Sequence, residues 1–86
     1  MYDVEFTTAA ARQVRRLDPQ ARRRLLAGVA KLAVDPRPAG VKKLAGEENA
    51  WRIRVGDYRI LYEAYDSQLL VVVVAVGHRR EVYKKR

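Results

Sequence analysis

Ala50–Glu63 reads AWRIRVGDYRILYE. Two alternating runs, Trp51–Val55 and Tyr58–Glu63, flank Gly56-Asp57. A Gly-X pair between two such runs predicts a tight β-hairpin, because Gly accepts the positive φ that two-residue turns need. With Gly56-Asp57 as the whole loop, Val55 lies opposite Tyr58, Arg54 opposite Arg59, Ile53 opposite Ile60, Arg52 opposite Leu61 and Trp51 opposite Tyr62. Side chains alternate faces along a strand. Trp51, Ile53, Val55, Tyr58, Ile60 and Tyr62 therefore share one face, and Arg52, Arg54 and Arg59 share the other. Like charges set directly opposite destabilise a sheet. A face that carries Arg54 against Arg59 is built to meet an anion, and the planar guanidinium suits phosphate.

Outward from the hairpin, the elements follow in order. Tyr2–Phe6 alternates, with Asp3 and Glu5 on the polar side, and predicts a half-buried strand. Thr7 or Thr8 caps a helix over Ala9–Leu17, with Ala10, Val14 and Leu17 inward. Asp18-Pro19 ends it and starts a second helix, Asp18 as N-cap and Pro19 at the first position, running to about Val34. Its inward stripe is Ala21, Leu25, Gly28/Val29 and Leu32, and Arg22, Arg23 and Arg24 open its outer face. Two helices joined so tightly form a helical hairpin. Asp35-Pro36-Arg37-Pro38-Ala39-Gly40 is a breaker cluster. Val41–Leu44 is a short strand or a loop.

After the central hairpin, Asp66-Ser67 reads as another tight turn. The apolar run Leu69–Val76 then reads as a central strand. Glu81-Val82-Tyr83 and the basic tail Lys84–Arg86 close the chain. The order β-α-α-β-β-β, with helices ahead of a meander, predicts an α+β fold: an antiparallel sheet with the helical hairpin on one face and the Arg side left open. Leu61, Val72 and Val74 are expected on that open side.

All of this fits one domain over residues 1–86. The chain has no cysteine, which excludes disulfide frameworks and Cys-rich zinc sites. No stretch has signal-peptide layout or bilayer-spanning length, so a soluble cytoplasmic protein without a membrane role is expected. Lys and Arg number 18 against 10 Asp and Glu, a net charge of +8, and the pI is near 10.3. Such a surplus on a small domain points to a polyanionic partner.

A two-residue turn at Asp66-Ser67 would pair Arg59 with Val74 and bring the end of the last strand beside Arg54 and Arg59. The tail His78-Arg79-Arg80-Glu81-Val82-Tyr83 would then leave the sheet there. Arg54, Arg59 and Arg79, with Arg52, His78 and Tyr83 nearby, form a cluster suited to phosphodiester cleavage. Arg stabilises charge that develops on phosphorane oxygens. Tyr83 or His78 exchanges protons with an attacking 2′-hydroxyl and a leaving 5′-oxygen. Lys42, Lys43 and Arg80 are candidate phosphate contacts. No spacing suggests a metal site, a Gly-rich phosphate loop or a Ser/His/Asp arrangement, so neither metal nor cofactor is expected.

The segment W-R-I-R-V-G-D-Y-R-I-L-Y-E, an apolar strand ending A-V-G-H-R-R-E-V-Y, and K-K-L-A-G before the hairpin together resemble the RelE family within the RelE/ParE toxin superfamily. The likeness covers nearly the whole chain. It implies a fold similar to small microbial ribonucleases and metal-independent cleavage of mRNA in the ribosomal A site. It also implies a cytoplasmic toxin of a type II toxin–antitoxin system. A RelB-like antitoxin would hold it in a hetero-oligomer that binds operator DNA through the antitoxin. By the same resemblance Arg52 and Arg54 are the basic pair, where the family often has Lys, and Arg59 holds the scissile phosphate. Arg79 acts at the leaving group or transition state, Tyr83 orients a base or helps activate the 2′-hydroxyl, and His78 stands where some relatives carry a catalytic His. Two other readings are compatible with the scaffold: a ParE-like DNA gyrase inhibitor without nuclease activity, and a degenerate toxin acting only as antitoxin partner and co-repressor.

Overall fold

A computed structural model of the chain describes residues 1–78. The elements are β1 (Asp3–Phe6), α1 (Thr8–Arg15), α2 (Pro19–Val34), β2 (Lys42–Lys43), β3 (Ala50–Val55), β4 (Tyr58–Tyr65) and β5 (Leu70–His78), with a 3₁₀ turn over Asp66–Gln68. The strands form one sheet in the order β1-β5-β4-β3-β2. The meander β3-β4-β5 is antiparallel, as its turns predict, and β2 adds antiparallel to β3. β1 pairs parallel with β5, Asp3 opposite Leu70 and Phe6 opposite Val73, so the sheet is mixed. The apolar run β5 is thereby interior, between β1 and β4.

The helix boundaries follow local chemistry. Thr7 accepts a hydrogen bond from the Ala10 amide at 3.1 Å and donates one to the Val74 carbonyl at 3.0 Å, capping α1 and tying it to β5. Asp18 accepts from the Ala21 amide at 2.7 Å and caps α2. A cap of this kind is worth about 1 kcal/mol. Arg22 departs from the sequence reading. Its guanidinium donates to the carbonyls of Val14 (3.3 Å), Arg15 (3.1 Å) and Leu17 (2.8 Å), closing the C-terminus of α1 rather than opening an outer face. A cation at that end also suits the helix dipole.

Ala10 and Val14 of α1 and Leu25, Val29 and Leu32 of α2 pack against Ile60, Tyr62, Ala64, Val71, Val73 and Val76 of the sheet. Each fully buried Val, Leu or Ile contributes about 1.5–3 kcal/mol, so this layer is the main stabilising term. Helix α2 passes close to β3 at Gly28, where an added Cβ would lie 2.8 Å from Val55 Cγ2. The breaker loop after α2 is pinned to the core. Tyr62 donates its hydroxyl to the Pro36 carbonyl at 2.6 Å. Arg37 holds Asp66 through two hydrogen bonds at 3.0 and 3.1 Å, and Tyr2 donates to the same carboxylate at 2.6 Å. Those donors hold the Asp66 carboxyl below its usual range.

The turn into β5 overturns one expectation. Residues 66–69, not 66–67, make the connection: a 3₁₀ turn is followed by Leu69 at φ 49°. Tyr65 therefore pairs with Leu70. A bulge between Leu61 and Tyr62 then leaves Val74 without an opposite residue, and Arg59 pairs with Gly77 instead of Val74. The Val76 amide donates to Gln13 Oε1 at 2.7 Å. Among the described residues, no helix is long and apolar enough to cross a membrane.

Two outcomes test this packing. Gly28→Ala carries a helix-propensity gain of roughly 0.5–1 kcal/mol. Urea denaturation should show no gain in the native background and should recover it once Val55→Ala removes the obstructing methyls. Burial of the Tyr62 phenol pushes its pKa well above the ordinary value near 10. The stability it contributes is complete below that value and is lost as pH rises through the folded-state pKa. Tyr62→Phe should therefore flatten the alkaline decline in stability. It should also cost about 1–3 kcal/mol at neutral pH, by leaving the Pro36 carbonyl without its donor.

Candidate functional site

Gly56, at φ 60°, makes the two-residue turn that the hairpin requires. The observed register is the predicted one, with Val55 opposite Tyr58, Arg54 opposite Arg59 and Arg52 opposite Leu61. Trp51, Ile53, Val55 and Tyr58 join Ile60 and Tyr62 on the helix side. Arg52, Arg54 and Arg59 project from the other face, and Lys42 joins them because it pairs with Arg52. These four side chains, with Gly40 and Ile53, line an open hollow of about 330 Å³. Guanidinium and ammonium groups gathered around one hollow suit an anion such as a phosphate.

Gly40 is the residue that sequence reasoning missed. It brings the loop against the hollow with φ 90°, a conformation suited to glycine. Its signal was the breaker cluster, which marked a loop without showing where the loop would lie.

Two expected members lie elsewhere. Lys43 pairs with Trp51, so strand alternation puts it on the helix side, its ammonium 5.9 Å from the Trp51 ring centroid. Arg37 approaches the same ring at 5.3 Å. His78 pairs with Tyr58, and the two rings meet edge-on with centroids 6.1 Å apart. It thus shares the helix-side face and not the face of Arg54 and Arg59. The cause is the turn over residues 66–69 together with the bulge, which shift the β4–β5 pairing by an odd number of residues and exchange the faces of β5 beyond the bulge. Gly77 takes the place opposite Arg59. Arg79, Arg80 and Tyr83 lie outside the described residues.

The apolar part of this face follows the expectation. Leu61, fully buried, and Val74 line a small recess of about 50 Å³ with Leu44, Glu47, Ala50, Tyr62 and Glu63. Tyr65 donates its hydroxyl to Glu63 at 2.9 Å, which raises the phenol's pKa. Among the described residues, no group of three or more His, Asp or Glu side chains is placed to hold a metal ion.

Comparison with known proteins agrees with this fold. The profile of the family described as "ParE toxin of type II toxin-antitoxin system, parDE" matches residues 4–83. Toxin RelG of Mycobacterium tuberculosis is 36% identical over 92 residues, covering 98% of each chain. The mRNA interferase toxin RelE of Escherichia coli is 28% identical, covering 98% of this chain and 92% of that one. The crystal structure of isolated E. coli RelE superposes with a TM-score of 0.81 at 28% identity, covering 99% of this chain and 94% of that one. A RelBE toxin–antitoxin complex from M. tuberculosis gives a TM-score of 0.80 at 32% identity, covering 91% and 98%. With the hairpin, the helical pair and the mixed sheet shared over nearly its full length, this chain belongs to the RelE/ParE family of type II toxin–antitoxin toxins.

Proposed function

We propose that the chain is an endoribonuclease that cleaves mRNA on the ribosome and so stops translation. The observation that carries this reading is the Arg54–Arg59 pair, opposed across the exposed face and joined by Arg52 and Lys42 around one hollow. A phosphodiester seated there has guanidinium donors on both sides. Cleavage forms a bond from the 2′-oxygen to phosphorus and breaks the bond to the 5′-oxygen. The 2′-hydroxyl proton goes to a base, and the 5′-oxygen takes up a proton as it leaves. Negative charge grows on the non-bridging oxygens between these states, and Arg59 and Arg54 stabilise it.

Arg52 and Arg54 present planar guanidinium donors, which hold and polarise the phosphate rather than shuttle protons. His78 faces Tyr58 on the other side of the sheet, which leaves Tyr83 as the proton carrier in this reading. Arg79 meets the leaving group by resemblance to the family. A RelB-like antitoxin holds the toxin inactive and carries the complex to operator DNA. Solved relatives captured as RelBE toxin–antitoxin complexes support that partner.

The matching ParE profile favours a second reading, inhibition of DNA gyrase without RNA cleavage. Primer extension on an mRNA programmed into purified ribosomes separates the two. The wild type should cut within the A-site codon. Arg59→Ala and Arg54→Ala should each lower the rate by roughly 10²–10³-fold, the loss typical of one transition-state donor. Undiminished cleavage by both variants would overturn the site. Intact mRNA alongside failing DNA supercoiling would replace the nuclease with the gyrase inhibitor.

A further inference from the structure

The register makes the exposed face of the sheet bipolar. At the hairpin end, Arg59 and Arg54 lie side by side, and the next row carries Leu61, Arg52 and Lys42. One row further, Glu63 pairs with Val72, and Val72 pairs with Glu5 of β1. Asp3 follows on the same side of β1, opposite Leu70. Glu47 lines the recess beside Glu63. Among the described residues the face thus changes from cations to carboxylates within a few residues, although the chain as a whole carries +8.

Arg59 and Glu63 are four residues apart on one strand, about 13 Å at the usual rise. That exceeds the screening length of about 8 Å at physiological salt. The two ends therefore act as separate poles and do not cancel. A phosphate at Arg59 is little affected by Glu63, whereas a phosphate over Val72 would sit between Glu63 and Glu5.

We propose that Glu5 and Glu63, flanked by Asp3 and Glu47, fence the substrate strand. Single-stranded RNA crosses β2, β3 and β4 at the hairpin end and does not run down the sheet. The carboxylates are a boundary and not a binding site. They keep the phosphates at the cationic corner and turn the uncharged bases toward the apolar strip of Val74 and Ala75. The inference rests on the nuclease reading and adds the path and the short footprint of its substrate.

Fluorescence anisotropy with labelled oligouridylates of graded length, across a salt series, tests it. Each neutralised phosphate of a single strand contributes about −0.7 to the slope of log K against log salt, so the four cations of the hollow alone predict a wild-type slope of roughly −3 or steeper. Glu5→Gln/Glu63→Gln should steepen the slope by at least ~0.7, one further phosphate. The oligomer length at which affinity stops rising should increase with it. Gln20→Lys/Ala27→Lys makes the same change in net charge at exposed positions of α2, and should leave slope and length unchanged. Acidic-face variants indistinguishable from the wild type, or from the α2 variant, would overturn the fence. Glu5→Gln alone, at an exposed position of an edge strand, gives the same reading if the double variant does not fold. No binding by the wild type, or a slope unmoved by Arg54→Ala/Arg59→Ala, would instead overturn the nuclease reading and the fence with it.

Discussion

The turn at Gly56-Asp57 sets a parity on which the rest of the molecule depends. A loop of two residues forces Val55 opposite Tyr58, and every pair down the hairpin follows from that one. A slip by one residue would exchange the faces. Arg52 and Arg54 would then be driven against the helices, and Ile53 and Val55 into water. The buried helix residues that would meet an arginine there are apolar: Ala10, Val14, Leu25, Val29 and Leu32. Core and candidate site thus hold each other in register. The aromatic side needs the helices, and satisfying that need delivers the cations to the opposite face.

That shared constraint made much of the chain legible from sequence. Asp18-Pro19 starts α2 and the Asp35-Pro36 breaker ends it, because cap and proline chemistry act locally. The hairpin was legible because its turn leaves no freedom. The β4–β5 connection was not. Asp66-Ser67-Gln68-Leu69 carries no glycine to mark its length, and Leu69 takes a positive φ that its side chain does not advertise. Nor does anything in LLVVVVAV say where a bulge belongs, since a run of near-identical residues fits several registers equally well. The Gln13 side chain on the Val76 amide is the tertiary contact that accompanies the chosen register. The displacement of His78 from the site face traces to that one ambiguity.

Composition also hid something that register exposes. Net charge suggested a basic surface, yet the exposed sheet face holds carboxylates and cations at opposite ends. The alternation of Asp3 and Glu5 in β1 was visible from the start. Their position in the row of Glu63 follows only from the parallel pairing of β1 with β5, which links residues more than sixty apart in sequence.

The same pairing sets an order of assembly. β5 is the last of the described strands to be synthesised and lies between the first strand and the hairpin. Until Leu70–His78 has emerged, β1 has no neighbour in the sheet and β4 has only β3. Contacts of such high sequence separation form late and make folding slow. A nascent chain therefore carries its cationic hairpin before it carries the sheet that holds it, and the candidate site is completed only once β5 has emerged.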